Sequence, residues 1–185
     1  MPIRRLTERN LALDLQDGTR IMDYLWSPWR FRYVTQAHET CACVFCEKAA
    51  AEPSRDRENL LLYRARFNFI LLNLYPYTTG HSMVIPYAHI ASLEEVEPAT
   101  LIEMMELARR LQAALRECYH PEGYNLGINL GKCAGAGVAD HLHLHLLPRW
   151  TGDSSFMTTL AETRILPEDL FTTYDKLAPY FAPGS

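Results

Sequence analysis

The 185-residue sequence has no apolar run near the roughly 18 to 20 residues that a membrane-spanning helix needs. Its opening stretch, MPIRRLTERNLALDLQDG, is basic near the start but has no continuous apolar segment, which excludes a secretory signal there. Neither charge sign is in large excess: 18 Lys and Arg stand against 22 Asp and Glu, a formal net charge of -4. That balance argues against a general nucleic-acid coat and leaves room for a local basic pocket. With 48% hydrophobic and 22% charged residues, the chain is neither disordered nor fibrous in composition. No repeat, low-complexity tract or separating linker is present. Five cysteines, an odd number, make no disulfide framework. The expectation is one soluble, cytoplasmic domain over residues 1–185, with no membrane or nucleic-acid partner. It comprises an N-terminal arm (1–39), a core (40–150) and a C-terminal extension (151–185).

What is present is clustered. Cys41, Cys43 and Cys46 fall within six residues, and His141, His143 and His145 alternate within five. Residues 1–24 are polar with a weak helical pattern. The aromatic and arginine-dense segment Trp26-Ser-Pro-Trp-Arg-Phe-Arg-Tyr33 reads as packing across a sheet edge or subunit boundary, or as bringing Arg30 or Arg32 to an anion. Residues 47–59 predict a short helix running into a loop. Strand formers recur at 60–63, 67–73 and 82–86, with turn chemistry in Tyr75-Pro-Tyr-Thr-Thr-Gly80. Ser92 and Glu95 make a capping-box pattern, and Pro98 suits a helix first turn. Leu101, Met104, Met105, Ala108, Leu111, Leu115 and Cys118 then mark one apolar helical face, with the methionines and Cys118 read as core. Pro121, Glu122 and Gly123 end this helix. Strands at 124–129 and 140–147 flank Leu130-Gly-Lys-Cys-Ala-Gly-Ala-Gly137. Strands and one long helix are segregated, which favours an α+β fold over a parallel α/β one.

On a strand, residues i, i+2 and i+4 share a face, so Asp140-His-Leu-His-Leu-His-Leu-Leu147 aligns three imidazoles and turns its leucines toward the helix. Generic packing does not need such a row. Two chemistries do: zinc ligation by neutral imidazoles, or nucleophilic attack on phosphorus assisted by a neighbouring histidine. The carboxylate cluster of a two-metal phosphatase is missing. The glycine-rich loop just before the row is a candidate phosphate cradle. Cys43-Val-Phe-Cys46 has the spacing of half a zinc site, and equally that of a redox pair or of two buried thiols.

His141-Leu-His-Leu-His-Leu-Leu147, Gly80-His81-Ser-Met-Val-Ile-Pro86-Tyr-Ala-His89-Ile90 and Asn129 together resemble the histidine triad superfamily over about residues 40–150. The resemblance implies a sheet of about five antiparallel strands with one long helix and shorter N- and C-terminal helical segments. It also implies a homodimer that binds nucleotides. Carried over, His143 is the nucleophile forming a nucleotidyl–imidazole adduct, and His145 and His141 complete the catalytic row. His145 holds α-phosphate oxygens. Asn129 and the Gly135-Ala136-Gly137 loop bind phosphate, His81 joins the nucleotide-binding set, and Asn73 stands where an acidic residue commonly grips the ribose. A neutral His143 would need its other nitrogen protonated and held, with a backbone carbonyl the expected partner. Lys132 and Arg149 are either helpers for the polyphosphate or solvated charges.

The Trp26-Ser-Pro-Trp-Arg30 segment, Pro148-Arg-Trp150 and Gly152-Asp-Ser-Ser-Phe-Met157 resemble the bacterial diadenosine tetraphosphate phosphorylase branch. Hydrolytic relatives carry glutamine four residues before the first triad histidine, and here Gly137 stands there. A small residue leaves room for inorganic phosphate as acceptor. Family members with this CxxC resemble zinc-binding relatives, which implies a structural zinc on Cys43, Cys46, His89 and His141, and no organic cofactor. Cys41 could compete for that metal, and Cys133 reads as a bystander. His38 and His120 read as surface residues. The rival readings are a hydrolase of dinucleoside polyphosphates or nucleoside phosphoramidates, and a nucleotide-binding module without turnover.

Overall fold

Side chains point alternately to the two faces of a sheet of short strands, one set packing under a long helix and the other, on the first three strands, under a short one. The computed structural model describes residues 43–153 and 167–182. The arm, the Trp26 to Tyr33 segment, His38, Cys41 and residues 154–166 of the extension lie outside the described residues. In chain order come α1 (Val44–Ala50), a 3-10 turn (Pro53–Arg55), α2 (Asp56–Asn59), β1 (Leu61–Arg64), β2 (Asn68–Leu72) and β3 (Ser82–Pro86). Then follow a 3-10 turn (Leu93–Glu95), α3 (Pro98–Tyr119), β4 (Gly123–Ile128), a third 3-10 turn (Lys132–Ala134) and β5 (Leu144–Arg149). α4 (Leu170–Leu177) and a last 3-10 turn (Ala178–Phe181) close the described chain. The sheet is antiparallel in the order β1-β2-β3-β5-β4, so β5 is inserted between β3 and β4. This is the expected α+β architecture, with helices packed on a five-stranded sheet.

One face of the sheet carries Ile70, Leu72, Val84, Leu144 and Leu146 against Met104, Ala108, Leu111 and Leu115 of α3, with Leu177 and Phe181 from the C-terminal segment. Leu111, Leu115 and Leu146 are fully buried, each contributing about 1.5–3 kcal/mol of apolar transfer free energy. The other face carries Leu61, Phe69, Leu71, Met83 and Ile85 under Phe45 of α1. The Glu103 carboxylate of α3 accepts from the backbone N–H groups of Arg66, Phe67 and Asn68 and from the Asn68 amide, tying the β1–β2 turn to the helix.

Three expectations need correction. Met105 is not core: it is 56% exposed, because it stands a helical step of about 100° from Met104 and shares its side of α3 with exposed Ile102. The first helix starts at Val44, ahead of the charged run, because Phe45 anchors it to the sheet. The histidine strand is shorter than its alternation predicts. β5 begins at Leu144, and its pairing with β3 runs from Ser82↔Leu146 to Val84↔Leu144. Beyond that point Pro86 has no N–H to donate, and its carbonyl is occupied by the His141 ring. His141 therefore sits at a bend and His143 on unladdered backbone just before β5, with Leu142 N–H donating to the Ile90 carbonyl between them.

Candidate active site and metal centre

The period-two alternation survives the loss of the ladder. Leu142, Leu144 and Leu146 join the α3 side, and the three histidines face the other. There Phe45 meets His141 edge-on at 5.4 Å between ring centroids and His143 at 5.1 Å. The His143 and His145 rings are 4.7 Å apart.

Hydrogen bonds fix the tautomers. The Nδ1–H of His143 donates to the carbonyl of His141 at 2.8 Å, which leaves Nε2 with a free lone pair. This is the backbone-carbonyl partner expected from the sequence. His81 Nδ1 accepts from the Tyr77 backbone N–H at 3.1 Å, so its Nε2 carries the proton and donates to His145 Nδ1 at 3.0 Å. His145 is thereby set with its own proton on Nε2, as a donor. The chain Tyr77–His81–His145 thus places a hydrogen-bond donor beside the lone pair of His143 Nε2. Burial is the main reason that His143 and His145 resist protonation. His143 lies below the usual histidine value, with its bond to the His141 carbonyl partly opposing the shift, and His145 is lowered to about 4 with added repulsion from His143. Both rings stay neutral near pH 7.

Four ligand atoms converge at the other end of the row. His141 Nδ1 lies 3.2 Å from Cys43 Sγ, 3.6 Å from Cys46 Sγ and 3.2 Å from His89 Nδ1, and Cys46 Sγ is 3.3 Å from His89 Nδ1. All four atoms fall within 4.8 Å of one another, a cluster that can hold a metal ion. His141 Nε2–H donates to the Pro86 carbonyl at 2.9 Å, which turns the Nδ1 lone pair toward the cluster. Burial lowers the pKa of His141, which favours the neutral form that a metal binds. Of the readings open for Cys43 and Cys46, this convergence favours the metal site.

The remaining candidates are distributed around this row. Gly127 pairs with His145 and Ile128 with Leu144, and Asn129 follows directly at the end of β4. Gly131 and Gly135 flank the Lys132–Ala134 turn with φ of 79° and 90°, a left-handed backbone that favours glycine. Ala136 is buried at the end of this turn, and Gly137 follows it. Lys132 is exposed on the turn. Asn73 Oδ1 accepts from Tyr75 N–H, and its amide nitrogen lies 3.3 Å from His81 Nε2.

Two of the candidates have further polar contacts. His81 is 1% exposed, with its Nε2 against His145 Nδ1, so it holds that ring in place. Arg149 is committed to Asp153 and Asn125, its guanidinium 2.8 Å from Asp153 Oδ1 and 2.7 Å from Asn125 Oδ1. Sequence reasoning missed the contact of Phe45 with the histidine row. Its position between the two cysteines was the available signal.

The HIT domain family profile matches residues 55–152. The chain is 32% identical over 188 residues to an AP-4-A phosphorylase of Mycobacterium tuberculosis, covering 96% of this chain and 94% of that protein. It is 30% identical over 95 residues to an asymmetrical bis(5'-nucleosyl)-tetraphosphatase of Schizosaccharomyces pombe, covering 51% and 52%. Its fold is similar to the crystal structure of a Zn-bound histidine triad family protein from Mycobacterium smegmatis. That match has a TM-score of 0.60 and 32% identity, over 75% of this chain and 92% of the other.

Proposed function

The chain belongs to the HIT domain family, and from that premise we propose that it is a nucleotidyltransferase using inorganic phosphate to split diadenosine tetraphosphate, or a related adenine nucleotide, into ADP and ATP. The observation that carries this reading is the pair of fixed tautomers: a lone pair on His143 Nε2 beside an N–H donor on His145. In the first step His143 Nε2 attacks the α-phosphorus, the adenylyl group moves to the imidazole, and ATP leaves with the bridging oxygen. In the second, a phosphate oxygen attacks the same phosphorus, ADP leaves, and the His143 lone pair is restored. His145 Nε2–H stabilises the developing negative charge on the α-phosphate oxygens in both steps. Asn129 and the backbone of Gly135, Ala136 and Gly137 support the phosphates, and Asn73 supports the ribose. Phosphate as acceptor rests on Gly137 and on similarity to the M. tuberculosis phosphorylase.

We also assign the Cys43, Cys46, His89 and His141 cluster to a structural zinc. Zinc bonds of about 2.3 Å to sulfur and about 2.0–2.1 Å to nitrogen make tetrahedral edges of about 3.4 Å between nitrogens and about 3.6 Å from nitrogen to sulfur. The separations of 3.2 to 3.6 Å fit those edges. When bound, zinc supplies a fixed anchor and leaves the phosphoryl chemistry to the imidazoles. A single cytoplasmic domain acting as a homodimer completes the proposal.

Diadenosine tetraphosphate incubated with the protein is expected to give ADP plus ATP only when phosphate is added, and His143→Ala should lose at least about a thousandfold in turnover. AMP plus ATP at equal rates with and without phosphate would establish the hydrolase reading instead, which the S. pombe relative favours.

A further inference from the structure

Cys43 and Cys46 hold more than a metal. Phe45 lies between them and touches the rings of both His141 and His143. His141 serves two partners at once: its ring nitrogen joins the cysteine cluster, and its backbone carbonyl accepts the hydrogen bond from His143 Nδ1–H. Two groups that fix His143, the His141 carbonyl and the Phe45 ring, therefore belong to, or sit between, the metal-binding residues. His89, the fourth member, is exposed and opens the cluster to solvent.

We propose that Cys43 and Cys46 form a peroxide-sensitive switch, whose oxidation to a disulfide releases the metal and loosens His143. The inference rests on the zinc and nucleophile assignments above. One thiolate attacks a peroxide oxygen, breaking the O–O bond, expelling hydroxide and leaving a sulfenic acid. The second thiolate attacks that sulfur, forms the S–S bond and expels a second hydroxide. The thiolates lose two electrons, one peroxide gains them, and two protons from solvent convert the hydroxides to water. The sulfurs begin within 4.8 Å of each other and close to about 2.05 Å. The disulfide consumes both thiolate ligands and leaves two imidazoles, too few to retain the ion. The two other described cysteines have different surroundings: Cys118 is half-buried against the Lys176 carbonyl, and Cys133 is exposed on the glycine-rich loop.

The test begins with metal analysis of the full-length protein purified without chelator. Finding no zinc would overturn the metal assignment and the switch with it, while leaving the His143 assignment standing. With zinc present, hydrogen peroxide should release one ion per chain, detected with a chromogenic chelator, and peptide mapping should show a Cys43–Cys46 disulfide. Nitrogen-15 NMR of the imidazoles should show loss of the protected His143 Nδ1–H signal, with turnover falling about tenfold or more. Dithiothreitol plus zinc should reduce the disulfide and restore bound zinc, the His143 signal and turnover. Zinc retained while other cysteines oxidise would overturn the switch. So would zinc release with the His143 signal and turnover unchanged.

Discussion

At the scale of single residues, the site is a set of proton positions. His81 shows why they matter. It is buried, reads the Tyr77 backbone N–H with one nitrogen and sets the His145 tautomer with the other. Replacing it with leucine removes the donor and frees His145 to turn its lone pair toward the phosphate. His81→Leu is expected to lower kcat about tenfold to a hundredfold with a smaller change in KM. His81→Gln, whose amide can still donate, should recover part of the loss. An equal rise in KM without loss of kcat would show that His81 binds substrate directly. His145 also links pH to stability. Its folded pKa is lowered to about 4, mainly by burial, whereas an unfolded histidine titrates near about 6.5. Between those values the unfolded chain binds more protons, so this group's contribution is intact above about pH 6.5 and is lost as pH falls toward 4. Denaturant melts should show that acid-side loss, and His145→Gln should flatten it.

At the scale of elements, the turn before β3 carries a close approach that fixes where His81 begins. Gly80 has φ of +79°, and a Cβ there would meet Leu115 Cδ2 at 2.8 Å and Pro148 Cγ at 3.3 Å. Gly80→Ala is expected to cost about 1–3 kcal/mol through backbone strain and crowding, seen as a lower denaturation midpoint at unchanged slope. The same elements show how far the sequence was legible. α3 announced itself by apolar periodicity, because burial on one face is a local, repeating demand, and β1 to β3 announced themselves by their strand-forming residues. β5 did not keep its predicted start. The histidine alternation describes the face of an extended chain, while the ladder depends on a partner, and Pro86 across from it supplies no N–H. Met105 failed for a related reason: an apolar residue just off a helical stripe looks like core until the packing direction is known.

At the scale of the molecule, β4 lies at the sheet edge with Leu126 43% exposed, and α3 turns Ile102 and Met105 outward. For the proposed homodimer, light scattering at micromolar concentration should give the mass of two chains, whereas a single-chain mass would remove the dimer from the proposal. The sequence by itself determined the α+β class, the row of histidines on one face, the glycine-rich turn before it and the family resemblance. All of these are written in spacing along one stretch of chain. Only the tertiary structure decided that Cys43 meets His141 across 98 positions, that His81 stands behind His145, and that Arg149 is bound to Asp153. Which side chains meet depends on inserting β5 between β3 and β4 and laying α1 across them. Proton positions follow from those meetings, because a tautomer is set by the partner a ring finds.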